Sequence, residues 1–248
     1  MSWKDNFSRQ ADIYAKYRPK YPQYLYDFLM TLVKNNHVAW DCATGNGQVA
    51  TSLAAFFDKV IATDASLSQL AYAKPLPNVE YRVAKAESSG FKSNSVDLIT
   101  VAQAIHWFDF EKFFSEVRRK AHNDTVIAVW GYGLLKISAN LDEILQDLYA
   151  NVLGDYWDRE RKHLDNAYQT IPFPFKTIPT PRFSMQLEWN LADLMGYLNT
   201  WSSVQKFIVA ENYSPLEKVE ADLKKSWGDR NVPKKIDWDI YLKVGKVN

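Results

Sequence analysis

Four residues carry the chemical interest of this chain: Asp41, Asp64, Glu87 and His106, each lying at or just past the end of a short apolar run. Asp41 closes Val38-Ala39-Trp40-Asp41, and Ala43-Thr44-Gly45-Asn46-Gly47 and the amphipathic run Gln48 to Ala54 follow. That order reads as strand, tight turn, helix. Glycines admit positive φ and let a ligand approach the backbone. The usual occupant of such a turn, at the carboxyl end of a parallel strand, is nucleotide-like. Gly45 to Ala50 fits the G-x-G-x-x-G/A fingerprint, and a glycine turn that merely closes a corner is its plainer explanation. Asp64 argues against the plainer one. It ends the β-branched run Lys59 to Asp64, 17 positions after Gly47, close to the spacing of about 20 at which an acid meets a ribose diol.

Glu87 stands in Ala84-Lys85-Ala86-Glu87, just past a third strand, where a carboxylate can accept from the exocyclic amine of a base or simply serve as an N-cap or solvated loop acid. Its place at the sheet edge shared with Asp41 and Asp64 favours the site. His106, in Gln103-Ala104-Ile105-His106-Trp107-Phe108, falls at the carboxyl end of a central strand, beside the switch point where open α/β sheets bind ligands. A histidine there is either a packing residue or a proton acceptor near neutral pH.

The elements that must position these groups alternate in type. Strands are expected at Val38–Asp41, Lys59–Asp64, Val79–Val83, Ser95–Gln103 and Thr125–Trp130, and helices at Gln48–Ala54, Ser66–Lys74 (capped by Ser66) and Phe108–Ala121. Repeated βα units imply a doubly wound parallel sheet with right-handed crossovers. Residues 1–36 form an N-terminal helical cap, with Phe7, Ala11, Tyr14 and Ala15 at helical spacing and a break at Arg18-Pro19-Lys20-Tyr21-Pro22; Arg18 and Tyr14 are placed to meet a carboxylate, or Arg18 is a solvated side chain at a helix break. Residues 37–132 are the cofactor-binding core. From 133 to 235 the pattern turns helical, with helices at Leu141–Leu153, Asp158–Tyr168, 191–209 and 215–227, a proline-rich crossing from Ile171 to Pro181, and a strand near 183–189. These insertions are expected as a lid on one domain, and 236–248 as the last strand.

Composition narrows the class. The 248 residues, 47% of them hydrophobic, suffice for one large α/β domain, and a formal charge of +1 makes no electrostatic case for nucleic acid or an anionic membrane. A single cysteine, Cys42, gives no disulfide framework, and the polar start together with the absence of a run of about 18 apolar residues argues for a soluble cytoplasmic protein. His37, His106, His122 and His163 show no metal-ligand spacing. Aromatic residues make up 15% of the chain. Most must be packing, but Trp107, Trp130 and Tyr132 fall where they could line a cavity for a small organic molecule. The basic run Arg159-Glu160-Arg161-Lys162-His163 is a solvated helix face or, through Arg161, a clamp for an acidic substrate.

With these residues laid out, the chain resembles the class I S-adenosylmethionine-dependent methyltransferases, and within them the small-molecule branch (methyltransferase type 11) that includes trans-aconitate methyltransferase-like proteins. The matching pieces are Phe7-x6-Tyr14-x3-Arg18-Pro19-x-Tyr21-Pro22, Asp41-x-Ala43-x-Gly45-x-Gly47, Asp64, Ala86-Glu87, Asp97, Gln103-Ala104-Ile105-His106-Trp107-Phe108, Val129-Trp130-Gly131-Tyr132-Gly133 and Trp201-Ser202-Ser203-Val204-Gln205. The resemblance implies a seven-stranded, mostly parallel Rossmann-like sheet and an S-adenosyl-L-methionine cofactor, left as S-adenosyl-L-homocysteine. It implies that Gly45 and Gly47, with Ala43 and Thr44, frame the methionine part, and that Asp41 helps hold the ammonium. Asp64 with Ala65 and Ser66 would take the ribose, Ala86 and Glu87 the adenine, and Gln103 and Ala104 the sulfonium side. Ala43 departs from the glycine common at that position. The expected activity is in-line methyl transfer to a small organic molecule such as a carboxylic acid, by a monomer or homodimer, with His106 as base where the acceptor carries a proton.

Two rivals share some of these signals. An NAD-dependent oxidoreductase shares the glycine turn and distal acid, and Tyr81-x-x-x-Lys85 could be its proton relay. Against it, Tyr81 and Lys85 lie in or just after an early strand, and Asp41 at the turn suits an ammonium and repels a pyrophosphate. A non-catalytic, cofactor-binding regulatory subunit is the other, since fold and function separate readily.

Overall fold

The computed structural model describes residues 17–247, so the expected helix through Phe7, Ala11, Tyr14 and Ala15, and the Tyr14 assignment with it, lie outside the described residues. The chain divides into two compact units. Among the described residues, the first comprises 20–132, 162–183 and 240–247; the second comprises 17–19, 133–161 and 184–239. The expected division differs at two places. The described part of the expected cap, 17–36, is divided after Pro19, and 162–183, expected in the lid, belongs with the sheet.

The first unit contains the alternation expected from the sequence. Helix α1 (Gln23–Leu32) precedes β1 (Val38–Cys42), α2 (Gln48–Leu53), β2 (Lys59–Asp64), α3 (Leu67–Leu70), β3 (Val79–Val83), β4 (Val96–Ala102), α4 (Phe110–Lys120) and β5 (Ala121–Tyr132). Helix α3 is half the expected length but is capped as expected, the Ser66 hydroxyl accepting from Gln69 N at 3.2 Å. Asp109 caps α4 in the same way, accepting from Lys112 N. The register is parallel from β3 through β2, β1 and β4 to β5. Five parallel strands therefore bring their carboxyl ends to one edge.

Short α6 (Lys162–Asp165) and β6 (Lys176–Ile178) complete this unit with the end of β8 (Lys234–Lys246), which runs antiparallel to β5 and to β6. The sheet order is β3-β2-β1-β4-β5-β8-β6, with β7 (Phe183–Trp189) also pairing with β8, eight strands in all. The expected number was seven. Pro179 and Pro181 lie between β6 and β7, and because proline cannot donate to a ladder, what would be one edge strand is interrupted there.

Trp40, Val101, Ile127 and Val129 from the strands and Phe113, Phe114 and Val117 from α4 belong to one buried cluster. Each such side chain contributes ~1.5–3 kcal/mol relative to exposure. Strand β4 is buried along nearly its whole length, as its apolar run implies. Its one acid, Asp97, is satisfied by the backbone N–H groups of His37 and Val38 at 3.0 and 2.8 Å and faces His122 Nε2 at 3.0 Å.

The second unit is mainly helical: α5 (Ala139–Asp147), α7 (Leu191–Asn199), α8 (Ser202–Glu211) and α9 (Leu216–Trp227). The single helix expected over 191–209 is broken between α7 and α8, and the one expected over 158–168 is reduced to α6 and a preceding 3-10 turn. Asn190 and Asp193 form a capping box at the start of α7. Trp189, Tyr197, Trp201 and Trp238 pack in a chain of aromatic contacts with ring centroids 5.1–6.0 Å apart. No helix of the described residues is long and apolar enough to cross a membrane.

Candidate active site

The turn between β1 and α2 is built from left-handed backbone. Ala43, Gly45 and Gly47 have φ of +55°, +57° and +80°, a region that glycine enters freely and alanine only at a cost. Thr44 N donates to Thr63 O at 2.9 Å, tying the turn to β2, and Gly47 N donates to Thr44 O at 3.0 Å. A methyl group built on Gly45 would meet only Gln69 Oε1, at 3.8 Å, so the turn leaves room there. At Gly47 it would come within 2.6 Å of the Tyr81 hydroxyl, so that glycine is required by packing as well as by φ.

Two carboxylates hold this turn. Asp64, at the end of β2, accepts from Gly45 N and from Ser66 N, both at 2.8 Å. Asp41 is 1% exposed and accepts from the Thr44 hydroxyl and, at 2.9 Å, from that of Thr100 on β4. Burial pushes its carboxyl up to about 6, the Thr44 and Thr100 hydroxyls opposing the rise and the neighbouring Asp64 charge adding to it. Cys42 beside it is buried too, and burial raises its thiol, which leaves it unreactive.

The remaining expected cofactor residues fall on the same edge. Ala65 and Ser66 follow β2, Ala86 and Glu87 follow β3, and Gln103 and Ala104 follow β4. Ala86 is buried, and Glu87 accepts from Asp109 N at 3.0 Å, so it also braces the start of α4. Gln103 has φ +57°, and its side-chain amide makes a two-point pairing with Tyr132, accepting from its N–H and donating to its carbonyl, both at 3.0 Å. The backbone N–H of Gln103 donates to the Trp130 carbonyl at 2.8 Å, so side chain and N–H are both engaged with β5.

His106 is 6% exposed, with Nδ1 3.0 Å from the Tyr168 hydroxyl and its ring 4.9 Å from that of Trp107. Gly131 on β5 makes this approach possible. A Cβ there would lie 2.6–2.8 Å from Gln103 Oε1, Leu164 Cδ1 and the Tyr168 hydroxyl.

Two aromatic assignments need correction. Trp130 is fully buried, edge-on to Tyr21 at 5.4 Å, and Tyr132 is 3% exposed against the same ring; both are packing residues because β5 is covered on both faces. Trp107 alone of the three is half-buried. Arg18 and Arg161 belong to the second unit. Arg18 donates to the Thr200 carbonyl and lies over Tyr197, and Arg161 donates to the Tyr149 hydroxyl at 2.6 Å with its guanidinium 4.0 Å above Trp157. Among the described residues no cluster of three His, Cys, Asp or Glu could hold a metal.

Comparison with known proteins supplies the family. The family model for a methyltransferase domain matches residues 40–129. A Dictyostelium discoideum protein that bears a methyltransferase name is 33% identical over 98% of this chain and 95% of its own. The chain belongs to the methyltransferase family. A solved structure from Anaeromyxobacter dehalogenans, named as a type II methyltransferase, superimposes with a TM-score of 0.86 at 35% identity, covering 93% of this chain and 98% of its own. A methyltransferase-named structure from Bacillus halodurans, at 20% identity and a TM-score of 0.52, shares the fold. The matched segment runs from β1 to β5, and so contains the glycine turn, both holding acids and His106. The expected class I methyltransferase Rossmann-like fold is the one observed; the trans-aconitate-like branch has no counterpart among these relatives.

Thr100, Gln69 and Tyr168 have no site role in the sequence reading, and Gly131 enters it only as part of the family-like run from Val129 to Gly133. Gly131 falls inside β5 only because that strand runs on to Tyr132, past the expected end at Trp130, and glycine inside a strand marks a close approach. The pairing of Tyr168 with His106 spans 62 positions and left no sequence signal.

Proposed function

We propose that this methyltransferase uses S-adenosyl-L-methionine and methylates a small organic molecule. The observation that carries the proposal is the turn itself: three left-handed residues leave room over Gly45, flanked by two carboxylates. That donor set suits a ligand with an ammonium, a sulfonium and a diol, and disfavours a dinucleotide pyrophosphate. Gly45, Gly47, Ala43 and Thr44 would frame the amino-acid end, with Asp41 supplying negative charge beneath it. Asp64, Ala65 and Ser66 would hold the ribose, Ala86 and Glu87 the adenine, and Gln103 and Ala104 the side nearest the methyl group. The bound cofactor supplies a methyl group already activated by positive sulfur. The protein's part is alignment of acceptor, carbon and sulfur, worth ~7–11 kcal/mol in well-oriented systems. His106 would take the proton of an acceptor that carries one, and Trp107, its ring 4.9 Å away, would offer an aromatic wall.

The test is transfer from S-adenosylmethionine labelled in its methyl group to panels of small carboxylic acids, phenols and amines. Label in a product with any one class supports the proposal and names the acceptor. Transfer to none, with label recovered only in protein, would refute the small-molecule assignment.

A further inference from the structure

We propose that Glu116 is a positioning residue for the cofactor's base: through Ser89 it sets the tight turn that carries Ala86 and Glu87, so that the Glu87 carboxylate is in place before an exocyclic amine arrives. The inference rests on the S-adenosylmethionine reading and deepens it, since that reading gives Glu87 the adenine.

The turn is closed on itself and fastened on three sides. Lys85 and Ser88 bridge across it, with Ser88 N donating to Lys85 O at 3.1 Å, which leaves Ala86 and Glu87 at the tip. At the entry, Ala84 N donates to Asp64 O at 2.9 Å and ties the turn to β2. At the tip, Glu87 Oε1 accepts from Asp109 N at 3.0 Å, a contact that orients the carboxylate and uses one of its two oxygens. At the exit, Ser89 is 1% exposed and gives both its N–H, at 2.9 Å, and its hydroxyl to Glu116 Oε1. Asp109 and Glu116 belong to the same helix, so α4 splints the turn from two points.

Glu116 is itself fixed. It is buried, and Arg119 grips both its oxygens, Nε to Oε2 at 2.7 Å and Nη2 to Oε1 at 2.6 Å, the forked pairing that confers direction as well as charge. Burial works against its ionisation, but Arg119 and Ser89 hold the carboxyl below its ordinary range. The next clamp is separate. Buried Lys120 donates to Phe91 O, and Asn94 N and Ser95 N donate to the carbonyls of Arg119 and Lys120 at 3.0 and 2.8 Å. Gly90, at φ +73°, turns the chain between the two clamps. Lys120 therefore holds the connection that leads into β4, whereas Glu116 holds the residue two positions from Glu87. A turn ordered in advance spares the ligand the cost of ordering it.

The experiment is calorimetric titration of S-adenosylhomocysteine and of S-inosylhomocysteine, in which a carbonyl oxygen replaces the exocyclic amine. The proteins are wild type, Glu116→Ala, Glu116→Gln, Glu87→Ala and the double variant Glu116→Ala with Glu87→Ala. The wild type should prefer the adenine ligand by at least about tenfold, and Glu116→Ala should reduce that preference to within about threefold, chiefly by weakening the adenine ligand. Glu116→Gln should fall between, because its amide oxygen can still accept from Ser89. Glu87→Ala should also abolish the preference, and the double variant should lose nothing more, as expected of residues that act through one another. Urea unfolding verifies that each variant is folded; should Glu116→Ala not fold, Glu116→Gln and Ser89→Ala, which each trim the same contact, are read by the same ratio. Equal weakening of both ligands with the preference intact would make Glu116 a support of the fold alone and overturn the proposal, as would a wild type without preference. Failure of the wild type to bind either ligand would instead overturn the S-adenosylmethionine reading.

Discussion

Replacing Asp64 with alanine removes a carboxylate that holds the turn and, on the proposed reading, meets the ribose. In the protein alone it accepts from Gly45 N and Ser66 N at 2.8 Å. Hydrogen bonds to a charged group contribute about 1.5–3 kcal/mol each, and because Asp64 is half-buried, water replaces part of what is lost. Asp64→Ala should therefore lower unfolding free energy by about 2–3 kcal/mol. On the cofactor side, the loss of the ribose partner together with a loosened turn should weaken S-adenosylhomocysteine binding by about 3 kcal/mol, on the order of 100-fold in Kd. Urea unfolding and calorimetry at one temperature measure the two separately. Asp64→Asn should fall between, since its amide oxygen can accept one of the two N–H groups while its NH2 cannot accept the other. A Kd within about threefold of wild type in Asp64→Ala, alongside reduced stability, would show that Asp64 only braces the turn and would refute the ribose assignment.

Asp41 and Gly131 give further tests. Because burial pushes the Asp41 carboxyl up to about 6, ionising it is harder in the fold than in the unfolded chain, where the ordinary value is 3.8. The resulting destabilisation is absent below about pH 4, grows as pH rises, and is complete above the folded value, amounting to about 3 kcal/mol. Asp41→Asn should therefore gain about 3 kcal/mol relative to wild type between pH 4 and pH 7 in urea unfolding; a difference that does not change with pH would place the carboxyl's titration elsewhere. Gly131→Ala forces a Cβ within 2.6–2.8 Å of Gln103, Leu164 and Tyr168. It should cost about 1–3 kcal/mol and shift the Tyr132 amide resonance as the Gln103 pairing is displaced; an unshifted amide would show that the pocket gives way elsewhere.

The parts of the fold that were legible from sequence are those governed by local pattern. The β-branched run ending at Asp64, the all-apolar β4 and the glycine pair are each set by residues within a few positions, and they occur within two residues of where the pattern puts them. The misplacements are where tertiary contacts decide. Helix 191–209 breaks at Thr200, whose hydroxyl bonds back to the Tyr197 carbonyl at 2.6 Å and whose own carbonyl receives Arg18. The segment 162–183 reads as lid by its helical pattern yet belongs with the sheet, because Leu164, Tyr168, Ile171 and Phe175 bury their side chains in the core cluster there. In the site, Asp64 and His106 were visible as types at strand ends. Their partners were not, since Thr100 to Asp41 and Tyr168 to His106 are contacts across 59 and 62 positions. Trp130 shows the converse: an aromatic at a strand end looks like a pocket wall until the neighbouring Tyr21 is seen to cover it.

The central claim is that the β1–α2 turn, with its two acids, holds S-adenosylmethionine. Calorimetric titration of the protein with S-adenosylhomocysteine and, in parallel, with NAD tests it most directly. Saturable one-to-one binding of S-adenosylhomocysteine, weakened in Asp64→Ala, with no heat from NAD, is the predicted result. Binding of NAD in place of S-adenosylhomocysteine would contradict the claim.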